Sequence, residues 1–333
     1  MNKSTPYVLR NISEAVGGGQ WLVVSDFGDE LRDCSLATSH CFSNVRICPV
    51  TSPIRMLAVD IDGTLLNSQF QISQVDIDAL RRAHESGVEV LLVTGRRHTF
   101  ALPMAQQLGF DLWLISSNGA VTRSLSGERF HRDLLPVETC RQLCGAMRDF
   151  RGNTVITFDK ESKGALVLER MDELTISIQR WLEKNIQYIE FVIPIEDALL
   201  ADPVQAMFCG PIVRMREALS YLDASGLREH ITVLRTEYPL RDLSIVDVLN
   251  RDCSKGHAVE RWARHRGIAR EQVMAIGDNY NDVEMLAFAG LPFIMGNASE
   301  ELRSRGWPVT LSNDENGVAA AIEQVMGKSK VLV

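Results

Sequence analysis

The sequence predicts an α/β fold, a doubly wound parallel sheet interrupted by an inserted α+β module. Three observations carry that expectation. First, near-continuous apolar runs alternate with amphipathic helical stretches over residues 54–120 and again over 248–333. Strands buried on both faces by crossover helices read this way. Second, between 121 and 247 the alternation gives way to apolar runs that follow one another as hairpins do. Third, the apolar runs of the alternating part end in polar clusters, and the carboxyl ends of parallel strands are where such sheets bind ligands.

The elements follow in order. "RMLAVDI" (55–61) reads as a buried strand, and "SQVDIDALRRAHESG" (73–87) as an amphipathic helix stopped at Gly87. "VEVLLVTG" (88–95) is a second buried strand, "TFALPMAQQLG" (99–109) a helix and "DLWLISSNG" (111–119) a third strand. In the interval, "NTVITF" (153–158) and "GALVLE" (164–169) predict a hairpin. Helix "DELTISIQRWLEKN" (172–185) and strand "QYIEFV" (187–192) come next. Strand "PVQAMFC" (203–209), helix "IVRMREALSYLDASG" (212–226) and strands "HITVLRT" (230–236) and "DLSIVDV" (242–248) complete it. The alternation then resumes with helix "SKGHAVERWARHRG" (254–267), strand "VMAIGDN" (273–279), helix "DVEMLAFAG" (282–290), strand "LPFIMGN" (291–297) and a final strand "WPVTLSN" (307–313). The expected division is a core of 54–120 plus 248–333 and an insert of 121–247.

Residues 1–53 stand apart as an extension expected to be poorly ordered, with a glycine run (Gly17–Gly19) and Pro49 and Pro53 at its end. Its Cys34, Cys41 and Cys48 recur every seven residues, wider than the two-to-four-residue spacing of paired zinc ligands. Met56, at the first strand, is a candidate start of the functional part.

Composition narrows the class. The 333 residues are 45% hydrophobic and 23% charged, as in ordinary globular proteins. A net charge of -8 argues against a general nucleic-acid binder, and no apolar run has the length to span a membrane. Seven cysteines in a chain without a secretory signal read as reduced thiols, which makes the cytoplasm the expected compartment.

"MLAVDIDGTLLNS" (56–68) raises the chemical question, since it ends an apolar strand on Asp60 and Asp62. The second strand ends at Thr94 and Gly95, the third near Asn118, and "IGDNYND" places Asp278, Asn281 and Asp282 at the end of another. Carboxylates gathered at one sheet edge repel one another without a cation. A hard divalent ion that accepts oxygen ligands, Mg2+, resolves the conflict. The remaining groups suit a phosphoryl group. Thr94 and the backbone amides of Ile61 and Gly95 donate hydrogen bonds, Lys255 adds positive charge, and an aspartate can act as nucleophile.

"DIDGTLLNS", "VTGR", "SKG" and "GDNYND" together resemble, in order, the four motifs of the haloacid dehalogenase (HAD) superfamily. The insert resembles the type IIB cap of the Cof-like phosphatases on a Rossmann-like core, and the likeness covers about residues 54–325. The resemblance implies that Asp60 is the nucleophile and a metal ligand. It implies that Asp62 is the general acid/base, with its backbone carbonyl on Mg2+, and that Asp278 completes the metal site. Thr94, Gly95 and Asn281 would hold phosphate, Lys255 would neutralise the charge between Asp60 and phosphate, and Asp282 would stand behind them. The expected activity is Mg2+-dependent hydrolysis of a small phosphate monoester, a sugar phosphate or phosphorylated cofactor, through an aspartyl-phosphate. No nucleic acid or membrane partner is expected, and nothing in the sequence sets an oligomeric state. The alternatives are a hexose-phosphate mutase-like phosphotransferase and a non-catalytic sensor of phosphorylated ligands.

Other features stay open or bland. Arg96 is equally a phosphate-site residue or a solvated charge, and Asn118 equally an entrance residue or a turn. The basic stretch 260–270 reads as a solvated helix face, and Cys140 and Cys144 as packing residues on one helix.

Overall fold

The computed structural model describes residues 54–327, so the extension and its three cysteines lie outside it. The chain enters through strand β1 (Met56–Asp60), helix α1 (Gln74–Glu85), strand β2 (Glu89–Val93), helix α2 (His98–Gln106) and strand β3 (Trp113–Ser116). A hairpin of β4 (Val121–Ser124) and β5 (Arg129–Arg132) leads to helix α3 (Val137–Ala146). Strands β6 (Thr154–Thr157) and β7 (Leu166–Leu168), helix α4 (Ile176–Lys184), and strands β8 (Ile189–Phe191) and β9 (Gln205–Gly210) follow. Helix α5 (Ile212–Ala224) then precedes the long pair β10 (Ile231–Tyr238) and β11 (Leu243–Asn250). The chain returns through α6 (Lys255–His265), β12 (Val273–Gly277), α7 (Val283–Phe288), β13 (Leu291–Ile294), α8 (Glu300–Arg303) and α9 (Gly317–Met326).

Two sheets result. The first has the order β13-β12-β1-β2-β3-β4-β5, parallel from β13 to β3 and antiparallel beyond. Strand β1 is buried along its length and pairs with β2 and β12 on its two sides. Its residues alternate between faces. Leu57 and Val59 pack with α1, α2 and α9, whereas Met56 and Ala58 pack with α6, α7 and α8. Helices therefore cover both faces, which explains the unbroken apolar character of "MLAV".

Helix α1 starts at Ser73, whose hydroxyl accepts the Asp76 N–H at 3.0 Å and so satisfies a first-turn donor. The buried Asp76 carboxylate in turn accepts the Ala319 N–H at 2.8 Å, tying α1 to the first turn of α9.

The second sheet has the order β10-β11-β9-β6-β7-β8, antiparallel except for the β7–β8 pair. One face (Ile156, Val167, Ala206, Phe208, Val246 and Val248) shares a core with α3 and α5, and Cys140 and Cys144 pack there. The other carries Val155, Leu166 and Cys209 and shares a smaller core with α4.

The structure departs from the sequence reading in four places. The hairpin 121–132 belongs to the first sheet, extending it antiparallel from β3, so the expected boundary at 120/121 falls too early. At the return, β11 stays in the second sheet to Asn250, past the expected 247/248 boundary. Helices α3 and α9 were not expected. "WPVTLSN" makes only one bridge, between Ile294 and Val309, rather than a strand. Pro308 has no N–H to extend the ladder there, and the chain turns at Ser312. Among the described residues no helix is long and apolar enough to cross a membrane.

Candidate active site

Asp60 closes the central strand, which places its side chain mid-edge where the parallel strands end. It is 3% exposed. The chain turns at Gly63, whose φ of +85° is a left-handed value that glycine reaches without strain. A Cβ at that position would lie 2.4 Å from Asp278 Oδ2, so only glycine lets this turn close against the end of β12. Thr64 then donates its hydroxyl to Asp278 Oδ1 at 3.1 Å.

Lys255 arrives from the opposite direction in sequence. Ser254 caps α6 by accepting the His257 N–H. The 117–119 turn after β3 presses on that cap so closely that a Cβ on Gly119 would lie 2.2 Å from the Ser254 carbonyl oxygen. The lysine side chain is 1% exposed, and its ammonium donates to Asp60 Oδ1 and Asp282 Oδ1, both at 2.6 Å. The other oxygen of Asp282 accepts the backbone N–H groups of Asp278 and Asn279, each at 3.0 Å. Both Asp282 oxygens are thus engaged, one by Lys255 and the other by the turn after β12.

One ammonium serves three buried carboxylates, and the protonation balance reflects it. Burial and the Asp282 charge push Asp60 up to about 7, outweighing the pull of Lys255. Burial, with Asp60 and Asp282, raises Asp278 well above the carboxylate range. Burial alone would lower Lys255, but Asp282 and Asp60 overcome it and hold the ammonium above its ordinary value.

Oxygens of Asp60, Asp278 and Asp282 lie within 4.8 Å of one another. That excess of buried negative charge on hard oxygen donors fits a divalent cation such as Mg2+. The expected ligand set is Asp60, Asp278 and the backbone carbonyl of Asp62, and the Asp62 carboxylate is engaged elsewhere.

Asp62 faces Arg96. The guanidinium grips it with two hydrogen bonds, Nε to Oδ2 at 2.7 Å and Nη2 to Oδ1 at 2.5 Å. The sequence left Arg96 undecided, and this bidentate pair gives it a partner. Thr94 is fully buried, its hydroxyl accepting the Arg96 N–H at 3.0 Å. Ile61 is also fully buried and sits at the turn, its carbonyl accepting the N–H groups of Leu65 and Leu66. Asn281 donates to Asn118 Oδ1 at 2.9 Å, and Asn118 donates to Asp247 Oδ2 at 2.8 Å. Asn118 therefore has a bonded place rather than a bare turn role.

Asp60, Asp62, Gly95, Arg96 and Asn281 line a cavity of about 250 Å3 between the ends of the first sheet and one face of the second. Tyr238, at the end of β10, and Asp247, on β11, reach the same cavity. Burial, then Asp62, Asp278 and Asp60, raise the Tyr238 phenol well above its usual value, and burial pushes Asp247 up to about 7. Sequence reading missed both, and the only available signal was an acidic residue inside the apolar run of β11. A larger recess of about 570 Å3 includes Arg132, Asp159 and Glu190 but none of these groups, and Asp159 there is paired with Arg123 and Arg132.

Comparison with known proteins agrees with this geometry. Residues 57–322 match the family of haloacid dehalogenase-like hydrolases. Phosphatase YwpJ of Bacillus subtilis is 29% identical over 299 residues, covering 82% of this chain and all of that protein. HMP-PP phosphatase of Escherichia coli is 30% identical over 256 residues, covering 75% of this chain and 87% of that one. A solved HAD subclass IIB sugar phosphatase superposes with a TM-score of 0.64 at 22% identity, over 81% of this chain and 98% of that one, a likeness of fold.

Proposed function

From the premise that this chain belongs to the haloacid dehalogenase-like hydrolase family, we propose that it is a Mg2+-dependent phosphatase. It hydrolyses small phosphate monoesters through an aspartyl-phosphate on Asp60. One observation carries the reading. Asp60 sits against Lys255 at 2.6 Å, and Asp62, two residues on, lines the same cavity in the grip of Arg96.

In the first half-reaction an Asp60 oxygen attacks phosphorus opposite the leaving oxygen. The new O–P bond forms as the ester P–O bond breaks, and Asp62 gives its proton to the departing alkoxide. In the second, Asp62 as carboxylate takes a proton from water, whose oxygen attacks the same phosphorus. Inorganic phosphate departs and the Asp60 carboxylate returns. Arg96 fixes the orientation of the Asp62 carboxyl group through its two hydrogen bonds. Lys255 balances charge between Asp60 and the phosphoryl oxygens, while Thr94, Asn281 and the amides of Ile61 and Gly95 hold that group in place. Mg2+, held by Asp60, Asp278 and the Asp62 carbonyl, would supply further neutralisation of the phosphoryl oxygens. The second sheet serves as a cap that excludes water from the leaving group.

The test is inorganic phosphate release from a panel of phosphate monoesters, with and without Mg2+, in wild type and Asp60→Asn. Metal-dependent release that disappears in the variant supports the reading. Turnover that survives in Asp60→Asn refutes it.

A further inference from the structure

A separate small void lies where the turn between β6 and β7 meets the start of α2. It measures about 10 Å3, and its lining includes Arg97, His98, Arg123 and Asp159. Three polar atoms of that lining are sealed from solvent and have no hydrogen-bond partner: Arg97 Nη1, His98 Nδ1 and Arg123 Nε. Arg97 is 9% and His98 7% exposed. Arg97 also borders the active-site cavity, but an Nη1 that no solvent reaches points inward rather than into that open cleft.

The charges around the void do not balance. Among the described residues Arg97 makes no ion pair; its Nη2 donates to the carbonyls of Lys160 and Phe158, at 2.5 and 3.4 Å. Its face rests on the Phe100 ring, 5.3 Å from the centroid, which offsets part of the cost of burying the charge but occupies no N–H. Arg123 and Arg132 share a single carboxylate, Asp159. Three guanidinium groups thus meet one carboxylate, and the side chains of Lys160 and Glu161 beside them are exposed and opposite in sign. The free first-turn amides of α2, which begins at His98, add the positive end of a helix. Burial and Arg123 lower His98 and so favour the neutral ring, whose Nδ1 can still carry the proton and donate.

Buried donors with surplus positive charge are costly until a counter-ion meets them. The volume admits one occupant about the size of a water molecule, which excludes phosphate and sulfate. A water would accept some of these hydrogen bonds but leave the charge uncompensated.

We propose that the void binds one chloride-sized monovalent anion, held by Arg97, His98 and Arg123, which fastens the β6–β7 turn of the second sheet to the start of α2. The proposal stands independently of the phosphatase reading.

The experiment measures the melting temperature of the full chain in sodium chloride, sodium bromide and sodium gluconate at matched ionic strength, in wild type and Arg97→Leu. In wild type the two halides should raise the melting temperature above the gluconate value, by about 3–5 °C for each tenfold increase beyond half-saturation. In Arg97→Leu the halide-minus-gluconate difference should vanish, whatever the variant's own stability. Because a buried substitution can also perturb folding, the second measurement uses wild type alone: crystals equilibrated with bromide at the half-saturating concentration should show an anomalous peak between Arg97, His98 and Arg123. Melts that coincide in halide and gluconate, or a halide difference that survives in Arg97→Leu, would overturn the proposal. So would crystals with a water or nothing at that position, whatever the melts show.

Discussion

Among the described residues Lys255 is the only cation that touches Asp60 and Asp282, and replacing it by methionine removes that charge while leaving a side chain of similar length. Both contacts are 2.6 Å and the lysine is 1% exposed, so solvent cannot take over its role. Breaking a buried pair and stranding its carboxylates costs about 3–5 kcal/mol. At about 2–4 °C per kcal/mol this corresponds to a melting temperature lowered by roughly 6–20 °C. The pH dependence is specific. Asp282 and Asp60 hold Lys255 above its ordinary value, so its contribution is complete below the unfolded lysine pKa, about 10.4, and is lost only as pH rises past the folded value. The deficit should therefore be full at pH 8. At pH 5 it should shrink, because Asp60 and Asp278, both raised, take up protons and stop repelling each other. Circular dichroism melts in EDTA at the two pH values measure this. A variant that melts with wild type at pH 8, or one whose deficit is as large at pH 5, would refute the reasoning.

The other expectations concern single contacts. Because Asp60 is raised to about 7, the native state without metal binds more protons than the unfolded chain between about pH 4 and 7. Stability should thus fall as pH rises through that window, and Asp60→Asn should flatten the fall in urea midpoints measured in EDTA. Arg96→Gln loses the bidentate grip on Asp62 and should lower kcat/KM for the best phosphate ester by about 10–100-fold, with Arg96→Lys recovering little of it. Asp76→Ala breaks the ties to Ser73 and Ala319 and should cost about 1–3 kcal/mol in denaturant melts while phosphate release at 25 °C persists.

Much of this arrangement is legible in the chain because parallel sheets place chemistry at strand ends. "MLAVD" predicts where Asp60 stands, since an apolar run flanked by turn residues fixes both the strand and its terminus. The same logic places Asp278 after "VMAIG" and Lys255 at the start of a capped helix. What stays hidden depends on pairing across long stretches of chain. The Arg96–Asp62 grip, the Asn118–Asp247 bond and the approach of Tyr238 join residues that no local periodicity relates. The hairpin 121–132 illustrates the limit differently. Its second strand, "RFHR", is largely solvated at a sheet edge, so no apolar alternation marks it, and nothing local says which sheet it extends.

The position of β1 has a consequence for synthesis. One of its edges is covered early by β2, but the partner for the other edge, β12, begins only at Val273. At about 5–20 residues per second, the roughly 200 residues between them take some 10–40 seconds to be translated. Throughout that time the nascent chain displays an apolar strand with an unsatisfied backbone edge. The second sheet, encoded wholly within the interval, can close on itself meanwhile. Chaperone demand should therefore concentrate on the β1–β3 segment and end when β12 leaves the ribosome.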